Sequence, residues 1–170
     1  MSTCTIRLYQ QGDAEHLQPA VLESVAEVAP WMAWSHPRYS LDEARAWIRA
    51  QGELAGQGLA YEFAIWSDGR YLGGCGVNQI NGIHRFANLG YWVRTSAMGR
   101  GVAPAAVRLV VDQVFRTTDL VRLEIVCAAG NLRSQRVAEK VGALREGVLR
   151  NRLLLPGGPS DAVMFSLVRS

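Results

Sequence analysis

The stretch Ala87-Asn88-Leu89-Gly90-Tyr91-Trp92-Val93-Arg94-Thr95-Ser96-Ala97-Met98-Gly99-Arg100-Gly101-Val102-Ala103 decides how this chain folds. The apolar run ending at Val93 reads as a strand. A short turn bearing Gly99 and Gly101 follows, and a helix opens near Val102 and runs to about Phe115. The two glycines lack a Cβ, so the backbone can curl and come close to a ligand. The first amides of a helix have no partner within it, and their dipoles favour an anion. Strand, glycine turn and helix start therefore form a candidate phosphate cradle. Two familiar glycine fingerprints do not fit. A P-loop needs Lys-Ser or Lys-Thr after its second glycine, where this chain has Val102-Ala103. The dinucleotide fingerprint needs a third glycine and a βαβ unit at the start of the fold, and both are missing.

Outward from this turn, the hydrophobic period switches repeatedly. Thr5 to Tyr9 alternates as a strand, and Asp13 is placed to cap the helix behind it. That helix shows Leu17, Ala20, Val21, Ser24 and Val28 at helical spacing and stops at Pro30. Ser40-Leu41-Asp42-Glu43 is a capping box that starts a second helix, with Gly52 to Gly58 read as a loop beyond it. Three strands follow: Tyr61 to Ser67, Tyr71 to Ile80 and His84 to Val93. Asp68-Gly69 and Asn81-Gly82 sit at the hairpins of an antiparallel meander. Past the glycine turn, Arg108, Asp112 and Arg116 form one polar stripe on an otherwise apolar helix, as suits packing on a sheet. Val121 to Cys127 is a strand, and Asn131 can cap a helix that stops at Gly142. Ala143 to Leu155 and Asp161 to Val168 close the chain as a hairpin. The order β-α-α-β-β-β-α-β-α-β-β predicts one mixed α/β domain over residues 1–170.

Composition bounds the function. A chain of 170 residues, 49% hydrophobic and 19% charged, can bury a sizeable core and is not disordered. No apolar run approaches a membrane span, and Met1 to Arg7 lacks the apolar core of a signal peptide. Cys4, Cys75 and Cys127 are odd in number and widely spaced, matching neither a disulfide framework nor a metal site. A reducing cytoplasm is the expected compartment. The net charge of +3 comes from scattered arginines with Lys140 as the only lysine, which excludes a nucleic-acid stripe but suits a polyanionic small molecule.

Gly90-Tyr91-Trp92-Val93, then Met98-Gly99-Arg100-Gly101-Val102-Ala103, then Asn131-x-x-Ser134 resembles the GNAT acyltransferases, and within them the ribosomal-protein N-acetyltransferase branch. The family loop Gln/Arg-x-x-Gly-x-Gly/Ala matches Ser96 to Gly101, with Ser96 in place of the usual first residue. The resemblance spans nearly the whole chain and includes Pro30-Trp31-Met32-Ala33-Trp34. It implies a mostly antiparallel sheet of about seven strands flanked by about four helices. It implies acetyl-CoA as cosubstrate and no metal.

By that resemblance, the pantetheine arm pairs with the strand at Val93. The pyrophosphate rests on the amides of Met98, Gly99, Arg100, Gly101, Val102 and Ala103, with the Arg100 side chain as a further cation. Asn131 donates to the cofactor arm, and Ser134 gives a proton to the departing thiolate. Trp31 and Trp34 wall the acceptor site, with Met32, His36 and Tyr39 nearby. The base is less plain. Asn88 stands where many relatives carry an acid, and Arg150 to Leu155 contains none. Glu62, reached through a water chain, is the remaining candidate, with His84 a distant second. No Ser-His-Asp or Cys-His set suggests a covalent intermediate. The implied acceptor is a protein α-amino group. A small amine, or acyl-CoA binding without turnover, are the alternatives. A homodimer fits the branch.

Overall fold

The computed structural model describes residues 4–169; residues 1–3 and 170, at the ends of the expected domain and of the N-terminal stretch read above, lie outside them. The described residues form a seven-stranded sheet and four α-helices. The strands are β1 (Thr5–Leu8), β2 (Tyr61–Ser67), β3 (Arg70–Asn81), β4 (Phe86–Val93), β5 (Arg122–Ala128), β6 (Leu144–Leu155) and β7 (Gly158–Val168). The helices are α1 (Ala14–Val28), α2 (Leu41–Gly56), α3 (Val102–Thr117) and α4 (Leu132–Lys140). The sheet order is β1-β2-β3-β4-β5-β7-β6. As expected, β2, β3 and β4 form an antiparallel meander.

Alternation along the strands sends side chains to two cores. Phe63, Ile65, Val77 and Leu89 pack with Val107, Val110 and Val114 of α3 on one face. Ala64 and Tyr71 pack with Leu17 and Val21 of α1 and Ile48 of α2 on the other. Burying each such valine stabilises the fold by about 1.5–3 kcal/mol. Among the described residues no helix is long and apolar enough to cross a membrane.

Two local expectations are corrected. Asp13 does not cap α1 with its side chain. Its buried carboxylate takes a bidentate grip from Arg7 at 2.6 and 2.7 Å and the Gln10 amide at 2.8 Å, which stabilises a charge there better than a cap alone. The segment Gly52 to Gly58 is not all loop: α2 continues to Gly56, because Glu53, Leu54 and Ala55 favour helix enough to carry the glycines. The Ser40 capping box forms as read, with the Glu43 amide donating to Ser40 Oγ.

The feature that positions the site is a split in the sheet. Strands β4 and β5 are parallel and pair only at Phe86–Arg122, Ala87–Leu123 and Asn88–Glu124. Beyond Asn88, β4 stays with β3 up to Val93 while β5 follows β7 up to Ala128. The edge of β4 from Leu89 onward therefore has no ladder partner on the β5 side.

Candidate active site

Two cavities open at the split. The first, of about 770 Å³, runs between the glycine turn, the free edge of β4 and α4. Gly99 and Gly101 both hold left-handed backbone, at φ of 75° and 77°, and Gly101 is the N-cap of α3. An added Cβ at either would meet nothing within 4 Å, so their role lies in backbone shape and in approach to a ligand. The amides of Gly99, Arg100, Gly101, Val102 and Ala103 find no acceptor among the described residues, and Pro104 has no N–H to lose. Met98 departs from expectation. Its amide donates to Thr95 O at 3.1 Å, closing a turn, although the residue lines the cavity. Arg100 is exposed and does not line the cavity. The cations that do are Arg133, Arg136 and Lys140, spaced along one face of α4, with Arg133 paired to Glu27 at 2.6 Å. That spacing was readable in the sequence once Asn131 was taken as the cap. Five free amides at a helix start, facing three cations beside an unpaired strand edge, fit the diphosphate and extended amide arm of acetyl-CoA.

Ser134 lies in the same cavity, in the first turn of α4. Its amide donates to Asn131 Oδ1 at 3.2 Å, so Asn131 serves as cap, while its Nδ2 takes no partner among the described residues. Ser134 Oγ is 3.1 Å from the Tyr91 hydroxyl and 3.2 Å from Cys127 Sγ. The Tyr91 hydroxyl also donates to Ser134 O at 2.8 Å. Burial raises the Tyr91 and Cys127 pKa values, so both stay protonated near neutrality and neither is an anionic nucleophile. Sequence reading did not single out Tyr91. Its position on β4, two residues before Val93, was the available signal.

The second cavity, about 1010 Å³, lies on the α1–α2 side. Its walls include Trp31, Trp34, Trp47, Tyr39 and Leu54, and its floor includes Gly74, Gly90, Glu62, Asn78 and Asn88. Trp34 is 42% exposed and packs edge-on against Trp92 with ring centroids 5.5 Å apart. Trp31, Met32, Tyr91 and Trp92 line both cavities, so the two meet at the end of β4. Glu62 is lifted to about 7 by burial, with an opposing hydrogen bond from Asn78 too weak to restore it. Two side-chain amides run from Glu62 across the sheet. Asn78 Nδ2 donates to Glu62 Oε1 at 3.1 Å, and Asn88 Nδ2 donates to Asn78 Oδ1 at 3.0 Å. His84 is exposed in the β3–β4 turn and lines neither cavity.

A divided sheet, an amide cradle and an aromatic-walled chamber meeting at one strand end fit an acyltransferase that draws on acyl-CoA. Residues 4–144 match the family described as Acetyltransferase (GNAT) domain, and the chain belongs to that family and is an acetyltransferase. It is 31% identical to YdaF of Bacillus subtilis (strain 168), provisionally named a ribosomal N-acetyltransferase, over 97% of this chain and 91% of that one. It is similar to the ribosomal-protein-serine acetyltransferase of Escherichia coli (strain K12), at 23% identity over 90% of this chain and 87% of the relative. Among solved structures it resembles Mycobacterium smegmatis RimJ in complex with CoA-disulfide. The TM-score there is 0.90 with 26% identity, covering 97% of this chain and 81% of that one.

Proposed function

We propose that this protein transfers acetyl from acetyl-CoA directly to the α-amino group of a protein N-terminus of the ribosomal-protein type, in the cytoplasm. The meeting of the two cavities at Tyr91 and Trp92 carries this reading: one side suits a diphosphate with an extended arm, the other a chain end. The names of the two curated relatives support the acceptor, and three free cysteines suit a reducing compartment.

Bound acetyl-CoA supplies the activated thioester carbonyl. The protein does the rest. Gly99 to Ala103 and the α4 cations hold the anionic end. The unpaired edge of β4 aligns the arm and offers amide donors where negative charge gathers on the carbonyl oxygen. Glu62, with its raised pKa, stays ionised while the neutral amine attacks and takes the proton from the nitrogen as the carbon–nitrogen bond forms. Ser134, backed by Tyr91, delivers a proton to the sulfur as the carbon–sulfur bond breaks. Trp31, Trp34 and Trp92 enclose the acceptor and exclude water.

The test is free-thiol release from acetyl-CoA with a panel of N-terminal peptides, polyamines and amino acids, with products weighed by mass spectrometry. Peptides acetylated at their α-amino groups are the expected product. Turnover confined to small amines, or saturable acetyl-CoA binding without turnover on any acceptor, overturns the reading.

A further inference from the structure

Glu62, Asn78 and Asn88 sit on three neighbouring strands and face the acceptor chamber as a row. Asn78 and Asn88 are direct register partners, and Glu62 is opposite Gly76. Gly76 makes the row possible. A Cβ there would lie 2.3 Å from Glu62 Oε2, so only glycine lets the carboxylate lean across β3 towards Asn78. The row ends at Asn88, the last β4 residue paired with β5, and therefore at the apex of the split.

Hydrogen-bond direction along this row is forced. An ionised carboxylate only accepts, so Asn78 must turn its Nδ2 to Glu62 and its Oδ1 to Asn88. Asn88 must then give its Nδ2 to Asn78, which leaves its Oδ1 without a partner among the described residues. If Glu62 gains a proton it can donate, and both amides can reverse. We infer that Asn78 and Asn88 form a two-amide wire that makes Asn88 the positioning residue for the acceptor amine. It presents Oδ1 to an amine N–H when Glu62 is ionised and Nδ2 to the nitrogen lone pair when Glu62 is protonated. The first arrangement leaves the lone pair free to attack. The second ties the lone pair up in a hydrogen bond and stops the reaction.

The other groups around Glu62 leave it in control. Tyr9, after β1, is held neutral by burial, as is Cys75 of β3. Across the chamber stand Glu43 of α2 with His36 and Tyr39 of the preceding loop, and His36 is paired with Glu43 at 2.9 Å. No arginine or lysine lines this chamber among the described residues.

The inference rests on the proposed acceptor chemistry, so its test has one arm that needs no turnover. In the free protein, the side-chain amide resonances of Asn78 and Asn88 should titrate together with a midpoint of about 7, and should stay flat in Glu62→Gln. Asn78→Leu should raise the acceptor KM about tenfold and abolish its pH dependence while leaving the acetyl-CoA KM unchanged. Asn78→Asp, nearly isosteric, keeps the test open if the leucine variant does not fold: it should move the Asn88 titration to higher pH, since a second carboxylate disfavours ionisation. Asn88 resonances that ignore Glu62, or an acceptor KM unmoved by either variant, overturn the wire. A wild-type protein that acetylates no peptide overturns the proposed function, and the resonances still decide the wire.

Discussion

The two cavities are built from opposite materials. The cleft proposed for the cofactor is made of main chain: two left-handed glycines, five unpartnered amides and a bare strand edge, with Arg133, Arg136 and Lys140 against the single acid Glu27 as its charges. The acceptor chamber is made of side chains drawn from α2, β2, β3, β4 and the loop after α1, and its charges include the acids Glu43 and Glu62 with no arginine or lysine among its described lining. Under the proposed function, the cleft made of backbone recognises what every reaction shares, the acyl donor, and the chamber made of side chains recognises what distinguishes one acceptor from another. The contrast also predicts where ionisation is costly: carboxylates beside arginine are eased, and one alone against aromatic walls is not.

The largest expected effect tests that last point. Glu62 has its carboxyl raised from an ordinary value to about 7. The native state thus holds its proton more tightly than the unfolded chain, and stability present below about pH 4.5 is lost as pH rises through 7. That shift amounts to about 3 kcal/mol, an upper figure. Urea unfolding at pH 5 and pH 8 should show this loss in wild type and not in Glu62→Gln. Glu23, lowered to about 2 by its pairing with Arg94, acts in the opposite sense and below that window, so the two do not overlap. Next, Ser134→Ala should lower kcat about 100-fold with the acetyl-CoA KM unchanged, read by steady-state kinetics. Equal losses in binding and turnover would make Ser134 a wall of the cleft and no proton donor. Gly101→Val should weaken acetyl-CoA about 30-fold by calorimetry, because a β-branched residue resists the left-handed cap that aims the amides. The smallest effect belongs to the chamber wall. Trp34→Ala should raise the acceptor KM about fivefold, with acetyl-CoA affinity and stability nearly unmoved.

The same division explains what the sequence could disclose. The cradle is contiguous, so the strand, the glycines and the start of α3 were all legible as a string, and the capping role of Asn131 came with them. Strand and helix order was legible from periodicity, including the meander. What was missed depends on distant residues meeting. Whether Met98 spends its amide on Thr95 is settled by a turn of backbone and not by residue type. Asn78 lies far from Glu62 in the chain, and only the strand register brings the two within 3.1 Å. Arg100, next to the loop glycines, was the natural cation to name, yet it is α4, through Arg133, Arg136 and Lys140, that lines the cleft with positive charge.

The chamber floor limits how this chain can change. A methyl group at Gly74 would lie 2.6 Å from the Tyr9 hydroxyl and 3.0 Å from Trp92 Nε1, and one at Gly76 would displace the Glu62 carboxylate. Gly74 and Gly76 can therefore accept no side chain, while Trp34 and Leu59 above them are exposed and free to change. Descendants of this protein that acquire new acceptors should differ in their walls and keep the same three-strand pavement underneath.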